Sequence, residues 1–345
     1  MAKASNNESC RHYVRIVLAS FLALLIPTWV WVWRAPLAYQ GTDYAIIQAK
    51  IKLARSERPW SLVILGDSCG VTDLCPRLMG PRVVNLALGG ASPVETYYMA
   101  REMLAAPHPP EAVLLTIMPE HFLESNVFWS SYVPCGFISF TDANEVRKLS
   151  RALDDHTLFN ENSPGDIDAR LKLGLMALHF PAYSFPSLVQ SRYFGRYSEN
   201  RQTFAKLLAD RGWLETHLTA FASERDAETE LKAFHPSRIM DAYFDRTVAL
   251  LSDHHIPIYF IQCPSNEASV PYYWPGLKPA VQDYLAGYAA RYPQFHLLGD
   301  LFQVYPSTDF SDQTHLNPDG TARWTAHVIE LLNAAGAPGS PFGPH

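Results

Sequence analysis

Apolar residues along this chain fall into three rhythms, and each predicts a different kind of element. From 16 to 33 they run almost unbroken, with no charge and only Ser20, Pro27 and Thr28 as interruptions. An uncharged stretch of about 18 residues is near the shortest that crosses a hydrocarbon core, so one membrane-spanning helix is predicted there. Past Pro59 the runs become short, at 61–66, 83–88 and 113–118, each bounded by Gly, Pro or Asp. That pattern suits strands buried on both faces. Between the second and third, 93–106 reads as a helix, with Ser92 as N-cap, Pro93 at the first helical position and Glu95 in the first turn. The alternation returns later, as helix 237–254, strand 257–262, helix 278–291, strand 295–299 and a last helix from Asn317 and Pro318 to about 333. Alternating strands and helices imply an α/β domain with a mostly parallel sheet, whose ligands gather beyond the C-terminal strand ends.

The third rhythm is the lack of one. Residues 34–59 read as a juxtamembrane connection containing a helix over 44–55, where Ile46, Ile47, Ile51 and Leu53 recur. From about 119 to 235 the β-α alternation stops, and this stretch is taken as a long insertion beside the site. It begins with Phe122, Phe128, Trp129, Tyr132, Phe137 and Phe140 and becomes helical at 167–178 and 198–211. The aromatics are expected to pack a small core of the insertion's own; shaping an acceptor groove is the functional alternative. The Gly- and Pro-rich residues 336–345 are expected to form a flexible tail. The organisation predicted is thus a cytoplasmic 1–15, an anchor 16–33, the connection 34–59 and an α/β domain over 60–335.

Charge orients the anchor. Lys3, Arg11 and Arg15 precede it and Arg34 alone follows closely, which keeps the N-terminus in the cytoplasm and sends the rest across. A cleaved signal peptide and a buried core helix are the rival readings; Arg-Ala-Pro-Leu after Trp33 is a poor cleavage site. A net charge of −6 excludes the basic footprint that grips a phosphate backbone, so no nucleic-acid partner is expected. Four of the five cysteines, Cys69, Cys75, Cys135 and Cys263, fall beyond the anchor. They are either disulfide partners in an oxidising compartment or small buried hydrophobes, and no pair has zinc-ligand spacing, so neither metal nor cofactor is expected.

Candidate chemistry begins at the end of the first strand, where Gly66-Asp67-Ser68 projects a serine from the C-terminal edge of the sheet. A serine nucleophile needs a base within hydrogen-bond reach, oriented by a third group. Asp312-Gln313-Thr314-His315 before the last helix supplies both, since an acid three residues upstream of a histidine can fold back onto one imidazole nitrogen. Asp309 is an alternate orienter.

The order and separation of Gly66-Asp67-Ser68, Asn85-Leu86-Ala87-Leu88-Gly89-Gly90 and Asp312-x-x-His315 resemble the SGNH/GDSL hydrolase superfamily. The resemblance covers 61–118 and 257–332 and leaves the insertion uncovered. It implies an SGNH-hydrolase-like three-layer sandwich, Ser68 as nucleophile, His315 as general base, Asp312 as its partner, and an oxyanion hole from the N–H groups of Ser68 and Gly90. The sequence departs from the family where a Gly-x-Asn-Asp segment would follow the third strand: Ile117-Met118-Pro119-Glu120-His121 offers no asparagine, and Pro119 has no N–H to donate. Membrane-anchored relatives that acetylate alginate or cellulose, or D-alanylate teichoic acid, look similar in anchor and diverged third block. That likeness implies O-acetylation of an exported polysaccharide outside the cytoplasmic membrane, with a multispanning O-acyltransferase delivering the acyl group. An esterase or deacetylase with the same triad, and a non-catalytic assembly component, are the rivals. Of the remaining candidates, His254-His255 reads as a helix end, Glu120 and His121 as a loop, Leu88-Gly89-Gly90 lacks the ending of a phosphate loop, and Cys69 reads as a small side chain beside the nucleophile.

Overall fold

A computed structural model describes residues 2–125, 127–159, 166–216 and 225–343. The first element, α1 (Ala2–Arg34), is long and apolar enough over Cys10–Arg34 to cross a membrane and is almost unburied there. It continues into α2 (Pro36–Tyr39) and α3 (Thr42–Ala54). These two do more than connect. Ile47, Ala49 and Leu53 of α3 are buried, and fully buried Lys50 donates through Nζ to the Asn85 carbonyl at 3.0 Å.

The body is an α/β fold. In chain order it comprises β1 (Leu62–Gly66), α4 (Ser68–Asp73), α5 (Pro76–Met79), β2 (Val83–Asn85), α6 (Pro93–Leu104), β3 (Ala112–Thr116), α7 (Phe140–Ala152), α8 (Asp166–Ala177), α9 (Pro181–Gln190), α10 (Tyr197–Ala209), α11 (Arg238–Asp253), β4 (Ile258–Phe260), β5 (Ser265–Asn266), α12 (Leu277–Arg291), β6 (Phe295–Leu297), β7 (Val304–Tyr305) and α13 (Pro318–Ala334). Five strands form one parallel sheet in the order β2-β1-β3-β4-β6, and β5 and β7 form a small parallel pair. Residues of β1 and β3 are buried on both faces. Val63, Leu65, Val113 and Leu115 face α6, α11 and α12, while Leu62, Ile64 and Leu114 face α13, with Trp324 the largest side chain on that side. The order reverses between β1 and β3, so the crevice beyond their C-terminal ends is where such a sheet holds ligands.

Three expectations are corrected. The aromatics after β3 do not pack a core of their own: Phe122, Phe128, Tyr132 and Phe137 belong to the main core. The stretch 336–343 is not a loose tail, since buried Phe342 donates its N–H to Asn333 Oδ1 at 2.8 Å and Gly343 N–H bonds the Met79 carbonyl, and 344–345 lie outside the described residues. The strand expected over 83–88 ends at Asn85, although Leu86 and Leu88 still bond the Ile64 and Gly66 carbonyls of β1.

Candidate active site

Ser68 stands where β1 passes into α4, on a turn that only glycine can make. Gly66 has φ of +134°, and a Cβ there would lie 1.6 Å from the Thr116 carbonyl oxygen of β3. Asp67 caps α4, accepting from Cys69 N–H at 3.2 Å through Oδ1 and from Met118 N–H at 2.6 Å through Oδ2. The Ser68 turn is thereby fastened to the end of β3. Asn85, at the end of β2, performs the same service there: its Nδ2 donates to the carbonyls of Gly70 at 2.6 Å and Leu74 at 3.1 Å.

Ser68 and Gly90, whose N–H groups the sequence singles out, lie on one cavity. The Ser68 N–H is the first of a helix and has no carbonyl within the helix to bond. Gly90 holds φ of +65° on the turn after β2, and its N–H makes no backbone hydrogen bond among the described residues. The cavity measures about 270 Å³ and is walled by Ile47, Val71, Leu88, Val127 and Leu214 among others.

His315 is positioned by a turn before α13. Asp312 Oδ1 accepts from the N–H groups of Thr314 at 2.8 Å and His315 at 2.7 Å, and Oδ2 lies 2.8 Å from His315 Nδ1. An aspartate that binds the amides two and three residues on fixes its own turn, which is why this short spacing suffices. His315 Nε2 is buried and has no partner among the described residues. Burial alone would lower the His315 pKa, but the Asp312 hydrogen bond and the charges of Asp73 and Asp67 outweigh it and lift the value to about 9. Burial pulls Asp312 upward, yet its bonds to His315 take it down to about 2. Asp309 does not serve as alternate orienter: it is buried against Arg323, with Oδ2 2.7 Å from the guanidinium.

Asp73, at the other end of α4 from Ser68, is the residue that sequence reasoning missed. Its Oδ1 accepts from Leu316 N–H at 3.0 Å and from the Thr72 hydroxyl at 2.7 Å, and its Oδ2 is buried without a partner. Burial lifts its carboxyl to about 7 against the pull of His315. The fold thus brings Asp312 to His315, brings Ser68 and Gly90 to one cavity, and moors the His315 turn to α4 through Asp73. It forms no hydrogen bond between Ser68 and His315.

Beyond β3, the diverged block contributes a side chain where a backbone donor is lacking. His121 Nε2 lies 3.8 Å from Asp67 Oδ2 and 3.6 Å from Glu120 Oε1, so this residue turns inward rather than lying in a plain loop. Buried Asp226 and Glu228 face Glu120 from the far side of the insertion, and burial followed by the Glu120 and Asp226 charges raises the Glu228 carboxyl. His254 and His255 close α11 as expected, His254 Nδ1 lying 2.8 Å from the Leu250 carbonyl. All five cysteines are free thiols. Although no cysteine pair has ligand spacing in sequence, the fold gathers Cys69, Asp73 and Cys263 with their ligand atoms within 4.8 Å of one another, the one such metal-capable cluster among the described residues. Burial and a hydrogen bond between the two thiols hold the Cys69 pKa well above its ordinary value, so without an ion these thiols stay protonated. Compared with known proteins, the chain matches no family model and no curated sequence.

Proposed function

We propose that this chain is a membrane-anchored serine acyl-transfer enzyme of the SGNH/GDSL type, working through an acyl-Ser68 intermediate outside the cytoplasm. One observation carries the reading: the His315 imidazole gives one nitrogen to Asp312, and keeps the other buried and unpartnered beside the helix that Ser68 heads. A buried polar atom left without a partner costs about 1–3 kcal/mol, which a proton shuttle to Ser68 would offset. Catalytic hydrogen bonds of this kind often form only once substrate is bound.

In the first half-reaction His315 Nε2, in its neutral form, takes the Ser68 Oγ proton as Oγ attacks the acyl carbonyl. The oxyanion gathers charge opposite the N–H groups of Ser68 and Gly90, and its collapse expels the leaving group, which receives the proton from His315. In the second half an acceptor hydroxyl gives its proton to His315 and takes the acyl group. The apolar walls of the Ser68 cavity suit the acyl chain, and a sugar hydroxyl of an exported polysaccharide is the acceptor we favour. The acyl donor arrives from a multispanning membrane O-acyltransferase.

The full chain in detergent should release nitrophenol from p-nitrophenyl acetate and react with a fluorophosphonate probe. Ser68→Ala and His315→Ala should each lower turnover by about 10³-fold or more, with the double variant hardly worse, because members of such a unit are not additive. An oligosaccharide added with the ester should be acylated. Wild-type turnover and labelling in Ser68→Ala would end the serine-enzyme reading, and free acid as the sole product with every sugar would assign an esterase.

A further inference from the structure

Large apolar side chains exposed beyond α1 are not scattered over the body. Of the twelve among the described residues past Trp33, eight lie between 171 and 197. Leu178, Phe185, Val189 and Phe194 are each more than half exposed, a concentration that marks an interaction surface rather than ordinary solvent-facing structure. The same stretch is packed on the last turns of α1. Trp29 Nε1 donates to the Leu178 carbonyl at 2.7 Å, Trp29 meets Phe180 edge-on at 5.3 Å, Trp31 lies 4.7 Å from Phe194, and Val32, Tyr39 and Leu188 form a small apolar core. The exposed patch therefore continues the surface of α1 at the level of its three tryptophans, where the aromatic belt of a spanning helix meets headgroups. Charge agrees. From 169 to 198 there is no Asp or Glu, while Arg170, Lys172, Arg192 and Arg196 fall inside it, in a chain whose net charge is −6.

An exposed aromatic and aliphatic stretch whose own charged residues are all basic has the composition of a segment that lies in the interface of an anionic bilayer. We propose that residues 171–197 form a platform that rests on an anionic lipid surface beside the point where α1 enters it. This rests on the reading of α1 as a bilayer-crossing helix. The platform gives the body a fixed seat that a single helix on a short connection would not. A cavity of about 310 Å³ lined by Met176, His179, Phe180, Tyr183 and Arg196 lies against it, and shares Asp43 and Ser131 with the Ser68 cavity. The seat thereby holds the candidate site close above the headgroups.

The test uses the full chain in vesicles rich in phosphatidylglycerol that carry a lipid with a photoreactive diazirine in its acyl chain, with crosslinked peptides located by mass spectrometry. Peptides spanning 171–197 should be labelled alongside those of 16–33, and peptides of 270–291 should not. Replacing phosphatidylglycerol by phosphatidylcholine should lower labelling of 171–197 several-fold and leave 16–33 unchanged. Phe185→Ser with Val189→Ser and Phe194→Ser should do the same, and Arg192→Glu, on an exposed side chain, provides a milder variant should the triple one fail to fold. Labelling of 16–33 alone would overturn the platform and keep the anchor, whereas absence of label from 16–33 would overturn both. Crosslinking of 171–197 to another protein instead of lipid in native membranes would overturn the platform in favour of a protein partner.

Discussion

Three carboxylates act on the His315 imidazole: Asp312 in contact, Asp73 on the helix headed by Ser68, and Asp67 at that helix's cap. Together they lift its pKa to about 9, so at neutral pH Nε2 holds a proton and cannot take one from Ser68. The neutral fraction grows about tenfold per pH unit below that value, and turnover should climb through pH 8 with its limb at about 9 rather than at the ordinary imidazole value. Asp73→Asn removes one of the charges while its side-chain oxygen still accepts from Leu316 N–H. The limb should therefore move toward neutrality and turnover at pH 7 should rise; a kcat/KM profile left in place would show that Asp73 does not act on His315. Stability carries the opposite sign. A folded pKa above the unfolded one means that the His315 contribution is complete below about 6.5 and is lost as pH rises through about 9. Asp312, held down to about 2, contributes above the ordinary aspartate range and loses it as pH falls through that value.

At the scale of elements, the turn after β2 is the one on which the proposed oxyanion hole depends. Gly90 sits in the left-handed region, and a Cβ added there would lie 3.0 Å from Val127 Cγ1, a side chain on the wall of the same cavity. Gly90→Ala should cost about 1–2 kcal/mol for the strained backbone, and should lower turnover by about 10–10³-fold as the turn shifts its N–H away from the oxyanion. Thermal denaturation and kcat separate the two effects; full turnover in a folded variant would take Gly90 out of the mechanism. Elements of this kind were legible from sequence because they announce themselves locally. The strands are apolar on both faces, and α6 carries a capping box of Ser92 and Glu95 around Pro93. What escaped has a long-range cause. Asp73 and Cys263 join the site only through packing that no spacing encodes. α9 contains Pro181 and Pro186, which read as breaks in so short a segment, and its apolar residues are divided between α1 and the exterior. The docking of Phe342 depends on Asn333 and Met79, which local composition cannot reveal.

The whole molecule joins a long exposed apolar helix to an α/β body, and its topology decides whether the site faces the compartment that the proposed chemistry needs. The basic residues Lys3, Arg11 and Arg15 against the single Arg34 predict an N-terminus inside. The thiols offer a direct reading of this with the chain as it stands. Cys10, on the N-terminal side of the apolar stretch, is exposed, whereas Cys69, Cys75 and Cys263 are buried and Cys135 is partly so. Burial would also let free thiols persist in the oxidising compartment that this topology implies, since an oxidant must reach a thiolate and these groups are shielded and kept protonated. A membrane-impermeant maleimide should therefore leave Cys10 unlabelled on intact spheroplasts and label it on inside-out vesicles, with Cys10→Ser abolishing that signal. Protease added to the same two preparations should behave inversely, degrading the body beyond Arg34 in spheroplasts and sparing it in inside-out vesicles. Strong Cys10 labelling on intact spheroplasts together with a protease-resistant body would place Ser68 in the cytoplasm. Acyl transfer to an exported polysaccharide would then fail on topology alone, whatever the triad does in a cuvette.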